Sequence, residues 1–152
     1  YRIGNERWAT EDLAHAIRFI FEIAATLKVD TKNYSLWGGS AGARMVGNIA
    51  YYGVSAFGAG NYPKPVTAVI AYTGQSSYDK SFPATFITVS ADDWIANVST
   101  VERRVQNLKN AGVTVSYQRY EQAGHGFGLA TGTDAEGWLY KAIDFWKSQI
   151  KE

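Results

Sequence analysis

The residues of this chain that could do chemistry lie in three short segments. The first is Gly38-Gly39-Ser40-Ala41-Gly42, which follows the apolar run Tyr34-Ser35-Leu36-Trp37 and precedes a helix-like run over residues 43–51. A G-x-S-x-G set between a strand and a helix puts its serine on a strained turn, with the hydroxyl exposed at the end of a sheet. Side chains at Gly38 or Gly42 are expected to collide with the tight turn or the packed helix. The backbone N–H of Ala41 then lies at a helix N-terminus, where it can meet negative charge. This pattern predicts nucleophilic attack by serine on a carbonyl.

A serine nucleophile needs a base, and the base needs an acid to orient it. The chain has two histidines. His125 lies in Gly124-His125-Gly126-Phe127-Gly128, where flanking glycines suit a tight loop that brings the ring to a pocket. His15 sits between Ala14 and Ala16 on a predicted helix and reads as a packing or surface residue. The acid candidates are Asp92 and Asp93, which follow a predicted strand over residues 84–90. Strand C-termini are where sites form in open α/β sheets. A pair of acids after a strand could equally be a solvated turn or a helix cap. The chain order serine, acid, histidine favours the functional reading, because all three segments fall at the C-terminal end of a predicted strand.

The elements that must hold these segments alternate between helix and strand, the signature of a parallel α/β sheet. The first helix is predicted over residues 10–28, with Glu11 and Asp12 in its first turn and an apolar face of Leu13, Ala16, Ile17, Ile20, Ala24 and Leu27. Strands follow at 34–37, 66–72, 84–90 and 113–120, and residues 54–64 read as loop. Ser99 and Glu102 form a capping-box pattern, expected to open a helix that ends before Gly112. Thr133 and Glu136 form a second such pattern, expected to start a final helix with Leu139, Ala142, Ile143, Trp146 and Ile150 on its apolar face. The expected total is four strands and four helices in three αβα layers.

Composition narrows the functional classes. The chain has 152 residues, 46% hydrophobic and 19% charged, which fits one globular domain with a sizeable core. Its net charge is +1, from 15 basic and 14 acidic residues, and no long basic run favours nucleic acid. The absence of cysteine removes disulfides, thiolate metal sites and cysteine nucleophiles. No metal and no cofactor is expected, no apolar stretch reaches the ~18 residues of a membrane span, and no signal peptide is visible. A cytoplasmic location is the favoured expectation. The chain opens on Tyr1 rather than Met.

From Glu11 onward the sequence resembles the C-terminal two-thirds of an α/β-hydrolase of the esterase type. The segment Gly38-Gly39-Ser40-Ala41-Gly42 resembles the serine motif of small microbial carboxylesterases and acetyl-xylan-esterase-like enzymes. Asp93-Trp94-Ile95-Ala96 is similar to that family's acid segment, and Gly124-His125-Gly126-Phe127 to its histidine loop. The resemblance implies a Ser40–His125–Asp93 triad, with Asp93 rather than Asp92 as the acid, acting on a carboxylic ester through an acyl-enzyme. It implies no large cap domain, since Asp93 follows Ser40 by only 53 positions. The pocket is then expected to be open and roofed by residues 73–83.

The same resemblance implies further strands before the first helix, one loop of which supplies a second oxyanion N–H beside that of Ala41. The Tyr1-Arg2 segment is similar to the tail of that strand region. The chain is therefore expected to be an N-terminally truncated domain or one part of a larger enzyme. The strand Tyr34-Ser35-Leu36-Trp37 would lie at an open sheet edge, which an upstream segment or a second copy of the chain is expected to cover. Pocket-wall candidates are Gly39, Tyr72, Thr73, Trp94 and Phe127, which flank the reactive positions or follow a strand end. Arg44 could meet an acidic substrate group or form a surface ion pair. The expected partner is a small-molecule ester, with acetylated carbohydrate among the candidates. The alternatives are a prolyl-oligopeptidase-type serine peptidase and an inactive or binding module of the same fold.

Overall fold

The structure, a computed structural model, describes residues 5–74 and 76–150. The Tyr1-Arg2 segment lies outside them. Four strands, β1 (Ser35–Gly39), β2 (Thr67–Ala71), β3 (Ala84–Ser90) and β4 (Val115–Tyr120), form one parallel sheet in the order β1-β2-β3-β4. Around it lie α1 (Glu6–Glu22), the short α2 (Ala24–Leu27), α3 (Ala41–Tyr52), α4 (Val98–Asn110) and α5 (Trp138–Gln149), with a 3₁₀ turn at Val54–Phe57. The three-layer αβα reading therefore holds, with an extra short helix among the described residues.

The sheet's side-chain alternation separates two cores. Ile70 of β2 and Ile87 of β3 face one way and pack with Val46 of α3 and Val101, Val105 and Leu108 of α4. Val69 and Phe86, in adjacent register, face the other way and pack with Trp138 and Ala142 of α5. Every residue of β2 is buried. A strand with both faces covered and neighbours on both sides has no room for polar alternation, hence its sequence Thr-Ala-Val-Ile-Ala. β1 lies at one end of the sheet, and all five of its residues are half-buried. Among the described residues no strand pairs with the outer side of β1.

Several element limits differ from those the sequence suggests, each for a local reason. α1 begins earlier, because the Asn5 side chain accepts the Trp8 N–H at 3.1 Å and caps it. Its buried positions are Ala9, Thr10, Ala14 and Ile17, while Ile20 and Leu27 stay about half exposed. The helix docks on α3 and the 3₁₀ turn through Ala14 and Ile17, with Leu13 and Phe21 alongside, so its contact stripe is rotated from the one that hydrophobicity marks. α4 is capped by Asn97, whose side chain accepts the Thr100 N–H, and not by Ser99. α5 starts at Trp138. The Thr133–Glu136 stretch closes turns instead, with the Thr133 hydroxyl donating to the Ala130 carbonyl and the Glu136 carboxylate accepting the Gly132 N–H. No helix among the described residues is long and apolar enough to cross a membrane.

Candidate active site

β1 runs into α3 through a single residue, Ser40, with φ 53° and ψ −119°. A non-glycine residue at positive φ is strained, and the surrounding structure must hold it there. Two features do so. The Ser40 N–H donates to the Ala71 carbonyl at the end of β2. A Cβ at Gly38 would stand 2.5 Å from the Gly42 carbonyl, so the turn closes only over a bare backbone. The expected collision at Gly42 itself is absent, because a Cβ there would meet open space. The crowding falls on the strand side of the turn.

The turn presents Ser40 Oγ to the imidazole of His125, with Nε2 at 2.9 Å. On the ring's other side, His125 Nδ1 lies 2.8 and 2.9 Å from the two Asp93 carboxylate oxygens. The Asp93 side chain is fully buried and that of His125 is 14% exposed. Asp93 Oδ1 also accepts the N–H groups of Ile95 and Ala96, at 2.8 and 2.7 Å. Two backbone donors fix the carboxylate, the carboxylate fixes the ring, and the ring fixes the hydroxyl. The structure thus joins Ser40, His125 and Asp93 in one chain of hydrogen bonds, while His15 is exposed on α1.

The neighbouring acid does different work. Asp92 accepts the Ser90 hydroxyl and, at 2.8 Å, the Gly124 N–H. Ser90 Oγ in turn accepts the Ala123 N–H. These bonds tie the histidine loop to the end of β3. The Ser90 hydroxyl, and then the Gly124 N–H, hold the Asp92 carboxyl below its usual range. Asp92 lies exposed on a turn and anchors the histidine loop, whereas Asp93 is buried against the imidazole.

A cavity of about 350 Å³ opens over Ser40, its lining including Tyr72, Thr73, Ala96, Asn97, Thr100 and His125. Of the expected wall residues, Tyr72 and Thr73 line it and three do not. Trp94 is 85% exposed, because the turn that aims the Ile95 and Ala96 N–H groups at Asp93 throws the intervening side chain outward. Phe127 is drawn into the core, edge-on to Tyr72 and Trp138 at 4.9 and 5.7 Å. Gly39 lies behind the Tyr72 ring, where a Cβ would come within 2.4 Å of the phenol oxygen. Burial, then the Asp93 charge, push the Tyr72 hydroxyl pKa upward, so it stays a donor. Arg44 reaches the cavity wall and is ion-paired with Glu6, which also accepts from Asn48.

Asn97 and Thr100 were not foreseen as wall residues. Their only sequence signal is position, just after the acid segment and at the start of α4. Among the described residues no group of three or more His, Asp or Glu side chains stands ready to hold a metal ion.

No protein-family model and no curated protein matches the chain by sequence. Solved structures do match by shape. An α/β hydrolase enzyme from a Medee basin deep-sea metagenome library superposes over 92% of this chain with TM-score 0.76 and 17% identity. The carboxylesterase Cest-2923 from Lactobacillus plantarum WCFS1 matches over 93% with TM-score 0.75 and 18% identity, covering 68% of that protein. An acetyl ester-xyloside bifunctional hydrolase from Caldicellulosiruptor lactoaceticus matches over 97% with TM-score 0.75 and 17% identity, covering 67% of that protein. The chain has the α/β-hydrolase fold. It spans 64% of the length of the metagenomic enzyme.

Proposed function

We propose that this chain carries the acyl-transfer site of a serine hydrolase that cleaves carboxylic esters. The observation that carries this reading is the unbroken hydrogen-bond series from Asp93 through His125 to a strained Ser40 at the C-terminal end of the sheet. Ser40 Oγ attacks the ester carbonyl while His125 Nε2 takes its proton. His125 then protonates the leaving alcohol oxygen, and the C–O bond breaks to leave an acyl-serine. Water, deprotonated by the same nitrogen, attacks the acyl carbon and regenerates Ser40 as the acid departs. Asp93 holds the ring with Nδ1 as donor and stabilises the imidazolium. The Ala41 N–H heads α3, where first-turn donors have no intrahelical partner, and receives the oxyanion.

The cavity wall supports a short acyl group and a polar alcohol. Thr73, Asn97 and Thr100 offer hydroxyl and amide groups to this cavity, and a mainly apolar hollow lined by Trp37, Gly39 and Leu139 shares Tyr72 with it. Solved structures of the same shape include a carboxylesterase and an acetyl ester-xyloside hydrolase, in keeping with esters of hydroxylated alcohols. The test is intact mass after reaction with a fluorophosphonate, followed by turnover of a panel of short-acyl esters. A single adduct on the wild type that is absent from Ser40→Ala is expected. Folded wild-type protein that takes up no probe would overturn the reading.

A further inference from the structure

Between β2 and β3 the described residues 72–74 and 76–83 form no helix or strand, and Ser76 lies against α4. Beneath this stretch Arg104 is 4% exposed. Its Nη1 donates to the Ser76 carbonyl, and its guanidinium sits 4.9 Å from the Tyr78 ring and 5.5 Å from that of Phe82. Nε and Nη2 have no hydrogen-bond acceptor among the described residues. Among the described residues no carboxylate pairs with it, and burial lowers its pKa to about 10. A buried cation normally has a counter-charge and acceptors for its fork of N–H groups. Aromatic faces offset part of the lost hydration but accept none of those N–H groups in line.

Arg104 also lines a second cavity, of about 250 Å³, with Ser76, Tyr78, Arg103 and Asn107. No acidic residue lines it. Gly74 and Thr100 belong to the walls of both this cavity and the one over Ser40, so the two are neighbours across a shared wall.

We infer that this second cavity is a binding site for a small oxyanion, a carboxylate or a phosphate, held by Arg104 with Arg103 and Asn107. The planar guanidinium edge suits a two-oxygen acceptor. Nε and Nη2 have no accessible surface, so the proposed anion reaches them only when the cavity wall at Tyr78 moves aside. Two sources carry this chemistry: a free anion, and an anionic substituent on a substrate that reaches past Gly74 and Thr100. The binding site stands without the ester-hydrolase reading. Only the substrate-borne source rests on it.

The experiment titrates the full chain with inorganic phosphate and with acetate, in a buffer free of other oxyanions. It follows the arginine Nε–H NMR signals and the melting temperature, in wild type, Arg104→Lys and Arg103→Glu. Saturable movement of the Arg104 signal is expected, with affinity falling by at least about tenfold in Arg103→Glu. The Arg103 side chain is exposed, so its variant keeps the test open should Arg104→Lys fail to fold. No saturable response, or an equal response in wild type and Arg103→Glu, overturns the site. Aryl butyrate and aryl hemisuccinate then separate the sources. A succinate-to-butyrate kcat/KM ratio that falls in Arg103→Glu assigns the anion to the substrate. An unchanged ratio with phosphate still bound assigns it to a free anion. Absence of turnover on both esters counts against the ester-hydrolase reading and leaves the titration result intact.

Discussion

At the scale of single residues, the division of labour between two adjacent acids is the most informative feature of the site. Asp93 contacts the imidazole from a fully buried position, and Asp92 takes the Ser90 hydroxyl and the Gly124 N–H. Replacing Asp93 by Asn keeps the shape but supplies an N–H where His125 Nδ1 needs an acceptor. The ring is then biased to the tautomer with Nε2 as donor, which cannot take the Ser40 proton. Turnover of an ester by Asp93→Asn should fall by roughly 10⁴ if the serine-protease precedent transfers. Asp92→Asn retains an oxygen for the same two donors and should stay within about tenfold of wild type. Steady-state kinetics of the two variants side by side decide the matter, and the reverse ranking would mean that the acid roles are exchanged.

At the scale of elements, the start of α4 serves both stability and the site. The Asn97 side chain accepts the Thr100 N–H, and the same residue lines the cavity over Ser40. An N-cap truncated to alanine costs about 1 kcal/mol. Asn97→Ala should lose about that much stability in urea unfolding. Ser99→Ala should be near neutral, since Ser99 lies inside α4 and is exposed. A larger loss in Ser99→Ala would restore the capping box that the sequence suggests. The histidine loop depends on elements in a similar way: Ser90 at the end of β3 accepts from Ala123, so the strand end sets where the loop begins.

At the scale of the whole molecule, β1 combines a place at the end of the sheet with anchors to distant parts of the chain. Tyr34, just before it, donates its hydroxyl to the Pro63 carbonyl at 2.7 Å and meets Phe21 edge-on at 5.4 Å. Burial pushes the Tyr34 pKa from 10 up to about 12. The fold therefore favours the protonated phenol. The stabilisation is complete below pH 10 and is lost as pH rises from 10 towards 12, because the unfolded chain releases this proton first. Tyr117, pushed up by burial and then by Glu102, adds a decline of the same sign. Urea unfolding from pH 9 to 12 should show a shallower fall for Tyr34→Phe than for wild type. Parallel curves would mean that Tyr34 titrates alike in both states.

The sequence alone determined what depends on neighbours along the chain. β3 matches its predicted limits, Ala84–Ser90, because an uncharged run rich in β-branched residues between turns leaves little other reading. The serine turn was legible because a serine among three glycines within five residues, set between a strand and a helix, marks a tight turn. Tertiary structure decided whatever depends on residues far away in sequence. The run Asp92-Asp93 is chemically symmetric, and only the path of the loop from β4 back over β3 sets which carboxylate meets His125. Trp94 and Phe127 look alike as pocket aromatics, yet a turn exposes one and three neighbouring rings hold the other half-buried against the core. Arg104 is buried only because Ser76, Tyr78 and Phe82, far from it in sequence, pack over its guanidinium. Local chemistry is written in short-range pattern, whereas burial and partnership arise only when register and loop path bring distant segments together.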